Sequence, residues 1–172
     1  METRNIMSNK LILMKGLPGS GKSHTAAKIA ASLPDCVVFS TDEFFMKDGV
    51  YKFQRKFLGD AHHWNQMRFQ RAVENLVPNI IIDNTNVTIN ELKNYSDYAH
   101  YQGYDLSIAE PTSEWWLEHR HMFYSKKANR VALRKFAQLL GEKNTHGVPF
   151  WSIERMIWKW QETSVSDLLK GL

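Results

Sequence analysis

The chain has 172 residues, 43% of them hydrophobic and 23% charged, proportions that exclude a disordered or membrane-embedded chain. That length suits one domain, 1–172, and leaves no room for a second independent core. The formal charge of +4 permits an acidic partner such as nucleic acid without requiring one, and a lone Cys36 in an apolar run excludes a disulfide framework or paired-cysteine metal site.

The start METRNIMSNK is polar and lacks the apolar centre of a secretory signal, and no apolar run approaches a membrane span. An intracellular protein, cytoplasmic or nuclear and without membrane contact, is the expectation.

In chain order, the run LILM at 11–14 reads as a strand and is followed by Gly16-Leu17-Pro18-Gly19-Ser20-Gly21-Lys22-Ser23, which fits GxxxxGK[ST] in the right context. Gly16, Gly19 and Gly21 let backbone N–H groups turn inward around phosphates, with Pro18 and Ser20 between them. Lys22 offers a cation to the β and γ groups, and Ser23 offers a hydroxyl to Mg²⁺. A helix over 23–32, with His24 in its first turn, adds its positive end. The pattern predicts a nucleoside triphosphate, ATP or GTP, bound with Mg²⁺.

The second run, CVVF at 36–39, is followed by Asp42 and Glu43. Ligands of open parallel sheets bind beyond the carboxyl ends of the strands, so Asp42 is expected to face the crevice of Lys22. A carboxylate there either takes the proton of an attacking hydroxyl or serves as a helix cap. A helix over 54–76 carries Gln66 and Arg68, which either contact an acceptor or form a solvated face. The third run, III at 80–82, ends in Asp83, the usual partner of the magnesium ion or its water beside a phosphate-binding loop. Asn84, Thr85 and Asn86 continue it as a polar edge, with Asn84 a candidate to share the ion.

Thr88, with Glu91 three residues on, caps a predicted helix over 88–102, and LSIA at 106–109 supplies a fourth strand. A parallel sheet of four to five strands between helices follows, an α/β fold of the P-loop NTPase/kinase type with its nucleotide-binding core at 10–110. The stretch 112–140 reads as helical and basic, part of a basic helical region over about 112–150 that breaks at Gly141 and again at Gly147-Val148-Pro149. Arg120, Lys126, Lys127, Arg130, Arg134, Lys135 and Lys143 face only Glu118 and Glu142 as anions in this segment. A last helix covers 151–163, in which Trp151 and Trp158 lie seven apart, a spacing that favours packing over stacking on bases. No histidine spacing implies zinc.

The combined order GLPGSGKS, STDEFF, AHHWNQMR, IIIDNTN, GYDLSIAEP and KNTHGVP, spread over about residues 10–160, resembles the P-loop polynucleotide 5′-kinase family. The likeness is greatest to small stand-alone relatives and to kinase domains of larger eukaryotic proteins. It implies transfer of the γ-phosphate of ATP to a 5′-hydroxyl of DNA or RNA, with a nucleic-acid 5′ end as partner, as in nucleic-acid repair. It also implies Lys22 and Ser23 as phosphate and metal groups, Asp42 as general base, Asp83 to Asn86 as the second-strand motif, and 143–149 as the lid, with Lys143 a catalytic cation. Two positions depart from phage-type members. Phe45 stands where they carry an arginine for the acceptor phosphate, and the lid offers Lys143 and His146 in place of arginines, so that Arg120, Arg130 or Arg134 would substitute. A small-alcohol kinase, acting on a nucleoside or sugar, and an ATP-dependent binding module are the alternatives.

Overall fold

The computed structural model describes residues 8–123 and 130–172, so Lys126 and Lys127 lie outside the described residues. Its centre is a parallel sheet of four strands, β1 (Lys10–Met14), β2 (Cys36–Phe39), β5 (Asn79–Ile82) and β6 (Asp105–Ala109), in the order β2-β5-β1-β6. The two central strands carry near-continuous apolar runs because both their faces are covered. Leu11, Leu13, Ile80 and Ile82 point to α2 (Leu58–Glu74) and α3 (Ile89–Tyr101), while Ile12, Met14 and Ile81 point to α1 (Lys22–Ser32). The predicted strands and the helices over 23–32 and 88–102 are present, and Thr88 and Glu91 form the expected reciprocal capping box.

Parallel pairing aligns Leu13, Ile82 and Phe39 across neighbouring strands. The chain segments that leave β1, β5 and β2 therefore emerge on one edge. These carry the Gly16–Ser23 loop, Asp83 and Asp42.

The region after β6 differs from the continuous helix expected over 112–140. It comprises α4 (Glu114–His119), a 3₁₀ turn at Arg120–Phe123, and α5 (Arg130–Lys143), followed by α6 (Phe150–Lys159). Gly141 does not break α5. A Cβ there would sit 3.3 Å from that of Phe150, a tight contact where the start of α6 comes close. Trp116, Phe136, Leu140, Ile153, Ile157 and Leu17 share one cluster, so α4, α5 and α6 are packed onto the phosphate loop through Leu17.

Trp151 and Trp158, expected to pack, lie outside the buried core. Both are exposed, because Ile153 and Ile157 define the buried face of α6 and leave the 151–158 stripe outward. Trp160, just past the helix, is buried instead.

Two elements escaped the sequence reading. One is α7 (Val165–Leu168), which begins at a Ser164 capping box and adds Leu168 to the sheet's core. The other is a hairpin of β3 (Met46–Lys47) and β4 (Val50–Tyr51), which ends within nine residues of Asp42. Asp48 and Gly49 turn it with φ of 52° and 76°, the paired positive values that favour Asp-Gly.

Candidate active site

The Gly16–Ser23 loop is held from three sides. Lys15 N–H donates to Ala109 O at 2.8 Å, Gly16 N–H donates to Thr85 O at 3.0 Å, and Thr25 Oγ1 at the start of α1 accepts from Thr112 N–H at 3.2 Å. Gly19 and Gly21 adopt φ of 79° and 87°, where a side chain is strained. At Gly19 a Cβ would also run into the Leu140 carbonyl and lie 3.1 Å from Asn144 N. Ser20 Oγ is buried and has no hydrogen-bond partner among the described residues. An unpaired hydroxyl inside a glycine cradle, at a helix N-terminus, fits a phosphate oxygen. Pro18 is half-buried in the loop, while Ser23 and His24 are exposed in the first turn of α1.

Lys22 Nζ lies 2.5 Å from Asp83 Oδ1, and the two side chains are only 11% and 9% exposed. The contact joins the loop after β1 to the end of β5. It also keeps the carboxylate neutralised. Ser23 hydroxyl and Asp83 carboxylate are a hard oxygen pair of the kind that holds Mg²⁺ together with phosphate oxygens, so the residues present fit the expected metal–nucleotide complex.

Asp42 sits in a 3₁₀ turn, Thr41–Phe45, whose capping is done by Ser40 and Glu43. Ser40 Oγ accepts from Asp42 N–H at 3.3 Å and Glu43 Oε1 accepts from Ser40 N–H at 3.2 Å. The Asp42 side chain is thus left for other contacts. It accepts from Tyr51 Oη at 3.0 Å, lies 4.0 Å from His146 Nε2, and is 49% exposed. Burial, and then the Asp42 charge, push the Tyr51 phenol well above its ordinary range, so it remains the donor. His146 also packs edge-on against Tyr51, with centroids 4.4 Å apart. The 143–149 segment is folded over by Asn144, whose amide donates to Gly141 O and Val148 O and accepts from Val148 N–H.

The other expected positions divide. Asn84 is held by accepting from Thr41 N–H at 2.9 Å and donating to Tyr95 Oη at 3.2 Å, which fastens the Asp42 turn to the end of β5. Thr85 is half-buried and gives its carbonyl to Gly16. Asn86 is buried at φ 47°, with its amide on Met14 O at 2.7 Å. That side chain braces the exit of β1 and is not presented to an acceptor. Arg68 pairs with Glu43 at 2.6 Å and stacks over Trp64 and Phe39, which turns it inward, while Gln66 is half-buried on the same helix. Arg120 forks onto Glu110 at 2.6 and 2.8 Å, a structural pairing that removes it as a substitute lid arginine. Arg130 and Arg134 are exposed on α5, Arg134 beside the Phe150 ring, and Lys143 lies over the Trp115 ring at 4.5 Å.

Lys15 is a feature that the sequence reading missed. It is buried, donates to Asn86 O and Val87 O, and lies 4.1 Å from the Trp160 ring centre. Burial, opposed by Glu110, Glu162 and Glu91, lowers its pKa to about 8. Its place directly before a GxxxxGK[ST] motif was the available signal.

A glycine cradle after a central parallel strand, with a lysine paired to the aspartate of the neighbouring strand, defines a P-loop nucleotide-binding domain of kinase-like fold. A family model described as an AAA domain matches residues 11–139. The chain belongs to that family. Human NEDD4-binding protein 2 is 38% identical over 151 residues, which is 88% of this chain but 8% of that relative's length. A chain of the Pnkp1/Rnl/Hen1 RNA repair complex is similar in fold, with a TM-score of 0.58, 17% identity, and 92% of this chain and 46% of that chain covered. A chain of the PezAT chromosomal toxin–antitoxin system of Streptococcus pneumoniae matches at a TM-score of 0.47 and 18% identity, covering 97% of this chain and 80% of that one. Among the described residues, no helix is long and apolar enough to cross a membrane.

Proposed function

We propose that the protein transfers the γ-phosphate of ATP, or of GTP, to a hydroxyl, and that this hydroxyl is the 5′ end of a polynucleotide. The observation that carries the reading is Asp42. Its carboxylate is half-exposed at the strand edge that also bears Lys22 and Asp83, and it is neither a cap nor paired with a lysine or arginine among the contacts described above. A phosphate acceptor arrives as an anion and needs no base, whereas an alcohol becomes a good nucleophile only as its proton leaves. Asp42 takes that proton, with Tyr51 Oη fixing the orientation of the carboxylate through Oδ1.

Lys22 leaves Asp83 for the β and γ phosphates, and Ser20 Oγ and the loop N–H groups complete the cradle. Ser23 and Asp83 would hold the metal ion, which would supply positive charge to offset that of the triphosphate. Lys143 is assigned to the transferring group, and Arg130 and Arg134 to the acceptor's phosphates. The polynucleotide acceptor is supported by the family resemblance of the motifs and by the basic lid. The matched part of the human relative is too small a share of that protein to lend its activity.

Incubation with γ-labelled ATP and a panel of 5′-hydroxyl oligonucleotides, nucleosides and sugars tests the reading. Label is expected in the oligonucleotides. Label confined to nucleosides or sugars would make this a small-alcohol kinase, and ATP binding with no label in any acceptor would favour a binding module.

A further inference from the structure

Between Lys47 and Phe57 the sequence reads KDGVYKFQRKF, four cations and three aromatic rings with one anion, Asp48. Nearly all of this stretch is exposed. Phe53 has 49% of its surface in solvent, an unusual fraction for an apolar side chain at the edge of an active site. Its ring is not randomly placed. Phe45 is buried and supports both Tyr51 and Phe53 edge-on, at 6.1 and 4.9 Å, and the Tyr51 and Phe53 rings run nearly parallel, 12° apart with centroids separated by 6.5 Å. Tyr51 in turn reaches Asp42, so the aromatic row starts at the carboxylate and extends away from it.

Rings spaced along an exposed, cation-rich segment are the surface on which single-stranded bases stack, while the cations track the phosphates. We propose that Tyr51, Phe53 and the cations Lys47, Lys52, Arg55 and Lys56 form the platform for the 5′ end of a single-stranded polynucleotide, with Phe53 under the base of the nucleotide whose hydroxyl faces Asp42. This rests on the phosphotransfer reading and names how the acceptor is held. The fixed Tyr51–Asp42 contact makes base stacking and hydroxyl alignment one event. A bound base sets the position of its own sugar relative to Asp42, so the terminal base, and not only the backbone charge, contributes to acceptor recognition.

The test compares a 5′-hydroxyl oligonucleotide with the same strand carrying an abasic 5′-terminal residue. In the parent protein the KM for the base-bearing strand should be lower by about 5- to 150-fold, the range that one base–aromatic stack supplies. Phe53→Ala should erase most of that difference by raising the KM of the base-bearing strand alone, with the KM for ATP unchanged, and Phe53→Trp should restore it. Equal loss for both strands would mark a structural defect and overturn the proposal, as would no change for either. Anisotropy of a labelled single strand without ATP separates the two readings. Phe53-dependent binding in a protein that labels no acceptor would keep the platform and sink the kinase, whereas transfer indifferent to Phe53 would keep the kinase and sink the platform. Binding of the strand that survives Phe53→Ala and reversal of Arg55 and Lys56 to glutamate would show that this face serves another kind of partner.

Discussion

Replacing Lys22 by alanine removes the cation that lies 2.5 Å from Asp83 and leaves a carboxylate whose side chain is 9% exposed without a counter-charge. An exposed ion pair contributes at most about 1 kcal/mol, whereas removing one partner of a buried pair costs about 3–5 kcal/mol. With only about a tenth of each side chain in water, the expected loss lies near the lower end of the buried range, about 3 kcal/mol. The nucleotide-free protein should therefore unfold at lower urea in Lys22→Ala, even though the lysine is part of the nucleotide loop. The control is Lys22→Ala combined with Asp83→Asn, which removes the stranded charge and should recover most of the loss. The same pair governs the nucleotide. When Lys22 turns to the phosphates, Asp83 needs a replacement cation, so ATP affinity in the parent should fall by about 10- to 100-fold when Mg²⁺ is chelated, with a much smaller fall in Asp83→Asn. Urea denaturation followed by tryptophan fluorescence, and ATP titrations with and without chelator, give both numbers. If Lys22→Ala unfolds within about 0.5 kcal/mol of the parent, or Asp83→Asn fails to rescue it, the pair does not carry the charge balance assigned to it.

Lys15 should make stability depend on alkaline pH. Its pKa falls from 10.5 unfolded to about 8 folded, so between these values the unfolded chain binds more protons and stability rises with pH, by up to about 3 kcal/mol. Measured as the difference in unfolding free energy between the parent and Lys15→Met from pH 7.5 to 10.5, the slope should be positive, and a flat difference would show that the buried ammonium carries no penalty. Gly19→Ala meets both the left-handed backbone and the Leu140 carbonyl. It should cost about 1–3 kcal/mol of stability and weaken ATP binding together, whereas a stable variant with parental affinity would show that loop and lid need not touch.

The parts legible in the sequence were those fixed by local or periodic rules. LILM and III were readable because a central parallel strand is apolar on both faces, the phosphate loop because its glycines recur at set positions, and the start of α3 because Thr88 and Glu91 satisfy each other's backbone. The β3–β4 hairpin was hidden by its length. Two-residue strands have no period to detect, although Asp48-Gly49 was a visible turn signal. The links from Tyr51 to Asp42, from Arg68 to Glu43 and from Lys22 to Asp83 join residues that only the completed fold brings together. Trp151 and Trp158 were misread because seven-residue spacing places two residues on one face without saying which face is buried. That choice was made by Ile153 and Ile157 against α5.

Asp42→Asn bears most directly on the central claim, since it keeps the size of the side chain and its hydrogen bond from Tyr51 while removing its basicity. With γ-labelled ATP and a 5′-hydroxyl oligonucleotide, transfer should fall by about 10²- to 10⁴-fold, while ATP affinity and slow hydrolysis by water persist. Parental transfer to the oligonucleotide by Asp42→Asn would contradict the hydroxyl-kinase account.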